Sequence, residues 1–335
     1  MSREKKIAMT DNQSPLLEVK NLTKCFPIGN RYSFQRKQLY ALDDVSLKVY
    51  KGETVGVIGE SGCGKSTLSR CLVSLHKPTS GSIYFNNKDI SKCTGKEKKE
   101  ISRKIQMIFQ DPYSSLDPKM RISQLVMEPF TIHNFTPEGQ SRVDRAIELL
   151  QSVGLDRYHL QRYPHEFSGG QRQRINIARA LTLNPEVLIC DEPVSALDVS
   201  IQAQVLNLLI KLQQEFNLTY LFISHDLSVI RYISDYIAVM YLGHIVEFCE
   251  ASGIYTRPLH PYTQALLSSI PPSSPFEKKE RLELKGDLVS HIGKVNCCPL
   301  ASRCPHCTER CKNEKPKLKP VDGRHEVACF LYEQS

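Results

Sequence analysis

No apolar run in the 335-residue sequence approaches the roughly 18 residues that a membrane-spanning helix needs; the longest, near Val187–Cys190 and Ile237–Leu242, have the length of strands. The opening Met-Ser-Arg-Glu-Lys-Lys carries positive charge with no apolar core behind it, so no secretory signal is expected and the chain is placed in the cytoplasm. There is no long internal repeat, which excludes a tandem pair of modules. With 41% hydrophobic and 24% charged residues, the composition also excludes a disordered or fibrous chain. The length accommodates one large domain with an attachment, or two domains.

The net charge is +8, from 44 basic and 36 acidic residues, and residues 1–40 hold eight Lys/Arg against three Asp/Glu. Such an excess can attract nucleic acid, anionic lipid or phosphorylated ligands. Here it is spread out and lacks interleaved aromatics, so it reads as a solvated basic surface. Cysteine is abundant: six of the 12 fall between Cys297 and Cys329. In a reducing compartment, clustered cysteines point to metal binding or redox chemistry rather than to disulfides.

Leu16–Lys20 and Ala41–Tyr50 alternate apolar and polar residues as half-buried strands do, with a basic excursion, Gly29–Gln38, between them. Thr54–Ile58 is a short apolar run leading into a glycine-rich turn, and Lys65–Leu75 has helical spacing. Further strands are expected at Lys104–Phe109, Val187–Cys190, Thr219–Ile223, Tyr236–Tyr241 and His244–Phe248. Helices are expected at Val143–Val153, Gly170–Leu183 and Val199–Phe216. The alternation predicts an α/β protein with antiparallel strands at its front. Prolines 258, 261, 271, 272 and 275 then lead into a charged stretch, which puts a module boundary near 255–275.

Gly59-Glu60-Ser61-Gly62-Cys63-Gly64-Lys65-Ser66 matches the phosphate-loop pattern, flanked by strand and helix as the pattern requires. Its glycines let the backbone aim N–H groups inward, and the helix N-terminus adds a positive dipole end for phosphates. Lys65 supplies charge toward the β and γ phosphates, and the Ser66 hydroxyl can ligate Mg²⁺. Ser61, Gly62, Cys63, Gly64 and Thr67 complete the expected cradle, Cys63 as a small filler. A chance glycine-rich turn is the alternative, and the flanking elements weigh against it. Val187-Leu188-Ile189-Cys190-Asp191-Glu192 is a buried strand ending in two carboxylates, where α/β sheets place ligand groups. Asp191 suits Mg²⁺, directly or through water, and Glu192 suits polarising an attacking water.

Four more segments give the chain a resemblance to the ATP-binding cassette (ABC) ATPases. Phe167-Ser168-Gly169-Gly170-Gln171 is similar to the family signature, with Phe for the usual Leu; Gln110 resembles the Q-loop glutamine, Ser195-Ala196-Leu197-Asp198 the D-loop, and His225 the switch histidine. Read singly, Gln110 and His225 could be structural polar residues at strand ends. The resemblance implies a P-loop NTPase of the ABC type over residues 1–255: a RecA-like core, an antiparallel β subdomain, and a helical subdomain at about 111–183. It implies Glu192, His225 and Gln110 as catalytic residues, and Mg²⁺ held by Ser66, Gln110 and Asp191. ATP is expected between one subunit's P-loop and its partner's Ser168, Gly169, Gly170, Gln171 and Asp198. Phe26 occupies the place of the aromatic that stacks on adenine, with a core Phe before Pro27 as the alternative. Arg172 and Arg174 are expected to support the signature helix and its neighbours.

The resemblance extends over nearly the whole chain to the ATPase subunits of dipeptide and oligopeptide importers. It rests on the P-loop, on 110–118 and 191–200, and above all on His260-Pro261-Tyr262-Thr263-Gln264-Ala265-Leu266-Leu267, which opens an extension at 256–335. The basic excursion resembles the F-type subunit of such systems. This implies a peripheral protein on the cytoplasmic face of the membrane, partnered by two permeases and by a second, D-type ATPase. An extracytoplasmic peptide-binding protein acts indirectly, and nucleic acid has no part. Close relatives import nickel or glutathione, which remains an alternative cargo. Cys298, Cys304, Cys311 and Cys329, with five, six and seventeen residues between them, resemble the pattern that holds a 4Fe-4S cluster in this group. Four thiolates also suit zinc, and Cys304-Pro305-His306-Cys307 could form a zinc-type pair, so zinc stands second and a metal-free tail third. Two other classes compete. A soluble ABC ATPase acting on nucleic acid or ribosomes usually carries two cassettes or a long coiled coil, and neither is present. A redox or iron–sulfur assembly protein would not need the ATPase motifs.

Overall fold

The computed structural model describes residues 14–28, 37–270, 282, 284, 286 and 293–333. Residues 29–36 of the basic excursion and Pro271, Pro272 and Pro275 lie outside the described residues. Along the chain come β1 (Leu17–Ile28), β2 (Lys37–Val49), β3 (Thr54–Ile58), α1 (Lys65–Leu72), β4 (Ser80–Phe85), β5 (Lys88–Asp89), α2 (Gly95–Lys104) and β6 (Ile105–Ile108). Then follow α3 (Ile122–Ile132), α4 (Arg142–Ser152), α5 (Gly169–Leu181), β7 (Val187–Asp191), α6 (Val199–Phe216), β8 (Thr219–Ile223), α7 (Leu227–Ile233), β9 (Tyr236–Tyr241) and β10 (His244–Glu250). The chain closes with α8 (Ala251–Thr256), α9 (Pro261–Ser268), α10 (Glu309–Asn313), β11 (Lys319–Asp322) and β12 (His325–Val327).

Two sheets result. One is antiparallel, in the order β2-β1-β4-β5; the other has eight strands, in the order β11-β12-β10-β9-β3-β8-β7-β6. β6, β7, β8, β3 and β9 run parallel to one another. Every residue of β3, β7 and β8 is buried, as expected of parallel strands covered on both faces. Successive side chains serve opposite layers. Val187, Ile189, Leu221 and Ile223 pack with Leu17, Val19, Leu42 and Val45 of the antiparallel sheet. Leu188, Cys190, Tyr220 and Phe222 turn the other way, onto Leu125, Leu149, Ile175 and Leu209 of the helices. The C-terminal ends of β3 and β7, where the phosphate loop and the two carboxylates begin, therefore open at the same end of the sheet, with β8 between them.

Described residues on either side of the expected boundary share one core. β12 pairs antiparallel with β10, Glu247 opposite Val327, so the extension adds strands to the same sheet. Tyr262, Leu267 and Leu300 belong to the helix-side core. Among the described residues, no helix is long and apolar enough to cross a membrane.

Candidate functional site

The phosphate loop joins the buried strand β3 to α1. Gly64 has φ of +106°, and a Cβ there would lie 2.2 Å from the Ala41 carbonyl oxygen, so both conformation and space demand glycine. Lys65 opens α1 with its side chain only 6% exposed. Its ammonium donates to the carbonyls of Gly59 at 2.7 Å and Glu60 at 2.9 Å, and lies 3.8 Å from Cys63 Sγ. Burial pushes the Cys63 thiol up despite the lysine beside it, which leaves it a protonated packing group.

Ser66 Oγ donates to Asp191 Oδ1 at 3.2 Å, and Ser69 Oγ, one helical turn on, donates to Oδ2 at 3.1 Å. Burial pushes the Asp191 carboxyl up, opposed by these two hydroxyls. A hydroxyl and a carboxylate oxygen converging in this way form a donor set suited to Mg²⁺, a hard cation that takes oxygen ligands. Ser69 escaped the sequence reading, although its i+3 spacing from Ser66 on one helix face was a usable signal.

Glu192 follows β7 with φ of +48°, a left-handed conformation that costs a non-glycine residue about 1–2 kcal/mol. It is held by its N–H donating to the Ile223 carbonyl at 2.9 Å and by Ser195 Oγ donating to its own carbonyl at 3.0 Å. The turn aims the carboxylate back over the loop. Gln110 Nε2 donates to Glu192 Oε2 at 2.9 Å, and His225 Nδ1 lies 3.2 Å from the same oxygen. Three expected catalytic residues, from three different loops, thus meet at one atom.

These groups line a cleft of about 770 Å³ with Ser61, Gly62, Gly64 and Thr67. Phe26 stands at its rim, its ring edge-on to His76 at 5.4 Å and beneath the Lys24 ammonium at 5.0 Å. Tyr40, a second aromatic lining the cleft, was not foreseen; it pairs across the strands with Cys25, next to Phe26. The signature residues and Asp198 do not line this cleft. Ser168 caps α5, accepting from Gln171 N at 3.3 Å while Gln171 Oε1 accepts from Ser168 N at 3.0 Å, a reciprocal capping box. A Cβ on Gly170 would meet Ile201 Cγ2 at 2.5 Å, so the second signature glycine is what lets α5 and α6 approach. Arg172 donates to the Pro164 carbonyl at 2.7 Å and Arg174 to that of Val153 at 3.1 Å, the supporting roles expected of them.

Comparison with known proteins places this geometry. The ABC transporter family matches residues 42–195. The chain is 52% identical to the oligopeptide transport ATP-binding protein AppF of Bacillus subtilis, over 96% of this chain and 98% of that one. It belongs to the ABC transporter ATP-binding proteins. It is also 46% identical to the dipeptide transport ATP-binding protein DppF of Escherichia coli, over 96% of each chain. Among solved structures, it resembles a dimeric ATP-binding cassette in a post-hydrolysis state bound to ADP and Pi, with TM-score 0.62 and 32% identity over 70% of this chain and 98% of that one.

A second family match, the oligopeptide/dipeptide transporter C-terminal region, covers residues 246–311 of this ABC protein. That span holds Cys298, Cys304 and Cys311, and Cys329 lies beyond it. Burial and the neighbouring Cys311, Cys329 and Cys304 thiols push the Cys298 thiol up to about 12; burial likewise pushes Cys329 up to about 11. Cys298 is thus electrostatically coupled to the other three thiols. Yet among the described residues no group of three or more His, Cys, Asp or Glu is arranged to hold a metal ion. The four cysteines expected as ligands are thus not arranged as a metal site, for zinc or for an iron–sulfur cluster, both of which need four converging thiolates. Arg303, next to Cys304, keeps a buried Nε with no partner among the described residues, a donor in keeping with an additional acceptor nearby.

Proposed function

We propose that this chain is the ATP-hydrolysing subunit of an ABC importer of di- or oligopeptides, bound at the cytoplasmic face of the membrane. The observation that carries the hydrolytic part is the convergence of Gln110 and His225 on Glu192 Oε2, beside the Ser66–Asp191 pair. The cargo follows from relatives named for oligopeptide and dipeptide transport and from the matching C-terminal region. Nickel and glutathione are the alternative cargoes of this group.

In this reading the loop amides and Lys65 bind the phosphates of ATP, while Phe26 and Tyr40 flank the adenine. Mg²⁺, held by Ser66, Asp191 and Gln110, would neutralise charge on the β and γ oxygens. Glu192 accepts a proton from the attacking water as its oxygen bonds to the γ phosphorus and the bridging oxygen leaves with ADP. His225 fixes the Glu192 carboxylate and faces the γ-phosphate. Ser168 and Gln171, bonded to each other and absent from the cleft lining, serve the ATP on a second ATPase subunit, with Asp198 at the same junction. ATP thus closes a pair of subunits, and hydrolysis lets them part, a two-state switch set by the γ-phosphate. The pair moves two permeases supplied by an extracytoplasmic binding protein; the second ATPase is read as a D-type paralogue. Residues 1–255 form the nucleotide-binding unit, with 111–183 as its helical part, and 256–335 the extension. Cys298, Cys304, Cys311 and Cys329 are proposed to hold a 4Fe-4S cluster with a structural role.

Co-expression with candidate permeases tests the assignment. Recovery as a complex whose ATP hydrolysis rises with a peptide-loaded binding protein is expected; recovery with ribosomes instead would refute it. Iron and acid-labile sulfide analysis of the same sample decides the cysteine site, and colourless, zinc-loaded protein would end the cluster assignment.

A further inference from the structure

Every polar group of Glu60 is spoken for, and two of its partners come from far along the chain. Its carbonyl accepts from Lys65 Nζ at 2.9 Å, within the phosphate loop. Its N–H donates to the Tyr262 hydroxyl at 2.9 Å, across 202 positions of sequence. Its carboxylate faces Arg303 Nη1 at 3.4 Å, across 243 positions. Tyr262 is 1% exposed and packs its ring 4.5 Å from that of Tyr241, whose hydroxyl accepts from the same Arg303 nitrogen at 3.3 Å. Arg303 is itself seated by its N–H donating to the carbonyl of buried Leu300 at 2.9 Å.

We propose that Tyr262 and Arg303 are positioning residues for the phosphate loop, through which the C-terminal extension sets the affinity of the cassette for ATP. Tyr262 fixes the Glu60 peptide from behind, and that peptide's carbonyl holds the Lys65 ammonium; the loop is thereby pre-organised before phosphate arrives. Arg303 answers the negative charge of Glu60, a carboxylate built into a loop whose ligand is a polyanion. The pair is mostly withdrawn from solvent, at 13% and 28% side-chain exposure, so its charges are screened less than those of a surface pair. Without Arg303, the Glu60 carboxylate stands uncompensated beside the triphosphate. This inference rests on the ATPase reading.

Equilibrium binding of ATP to the full-length chain and steady-state hydrolysis test it. Loss of one such contact is worth about a fivefold to tenfold change in affinity. Arg303→Gln and Tyr262→Phe should each weaken ATP binding by that factor, with the loss falling on KM for ATP more than on kcat. Glu60→Gln placed in the Arg303→Gln background should restore affinity to within about twofold, since it removes the charge that Arg303 answers. Wild-type affinity in both single variants, or weak binding in Arg303→Gln that Glu60→Gln does not restore, would overturn the proposal. A structural role alone would lower the unfolding temperature and leave the charge rescue absent. Should Arg303→Gln fail to fold, Tyr262→Phe, which deletes one hydroxyl, carries the test. Failure of the wild-type chain itself to bind ATP would strike at the ATPase reading instead.

Discussion

Glu192 and Glu247 each gather donors from distant segments, and they do so for opposite ends. Glu192 accepts from Gln110 Nε2 and lies against His225, whose side chain is 60% exposed. Glu247, on β10 and fully buried, accepts from the N–H groups of Leu259 at 2.8 Å and His260 at 2.9 Å, and from His325 Nε2 at 2.8 Å. The seam of the extension repeats this second pattern: Arg324 reaches buried Glu53 at 3.2 Å and Lys315 reaches buried Asp43 at 2.9 Å. Arg324 also lies over the ring of Tyr236 at 3.7 Å. Partners in the cleft are solvent-facing, so a water, a phosphate or a cation can replace them at small cost. The carboxylates in the seam are buried, so losing a partner strands a charge. The same residue type is exchangeable where chemistry is to happen and locked where a strand must stay docked.

Glu192→Gln and Glu247→Gln make the sharpest contrast, being one substitution in two settings. At Glu192 the amide keeps the shape and loses the base. Hydrolysis should fall by about 100- to 10,000-fold, with ATP-bound dimers accumulating on size-exclusion chromatography and stability held within about 0.5 kcal/mol. Normal turnover in this variant would sink the assigned role. At Glu247 the expectation inverts. The amide turns a donor toward backbone N–H donors and removes the charge facing His325, so stability should drop by about 3 kcal/mol in chemical denaturation. An unchanged unfolding midpoint would break the distinction between the two regions.

The two regions also differ in how far their sequences could be read. β3, β8, β9 and α6 match their expected ranges, because an apolar run or a 3.6-residue stripe is a local signal. α1 ends three residues early, where Ser74 turns to a φ of +59°. Much of the cleft was legible as well, since the phosphate loop, Gln110, Glu192 and His225 sit in motifs of fixed spacing, whereas Tyr40 reaches it from a strand with no such motif. The seam was not. β11 is exposed at all four residues and offers no alternation, and β12 has three residues. The side chains of Tyr262, Arg303 and Arg324 find carboxylates or a peptide N–H hundreds of positions away, and no local pattern encodes that. The cysteines were visible as a cluster, but no spacing in the sequence could say whether their thiols converge on one point.

Acid should separate the two regions more gently than either substitution. His260 is buried at the start of α9, where its Nδ1 accepts from Tyr262 N at 3.1 Å. Burial holds its pKa down at about 4 against the ordinary 6.5, with only the Glu247 carboxylate pulling the other way. The folded state therefore keeps His260 neutral while the unfolded chain takes up a proton below about pH 6.5. Stability from this group is complete above that value and is lost as pH falls toward 4, at up to about 1.4 kcal/mol per pH unit and about 3 kcal/mol in all. His260→Asn retains a capping acceptor and deletes the titration. Its stability profile between pH 7.5 and 4.5 should be shallower than that of the wild type by up to about one proton. Parallel profiles would show that the seam does not exclude the proton.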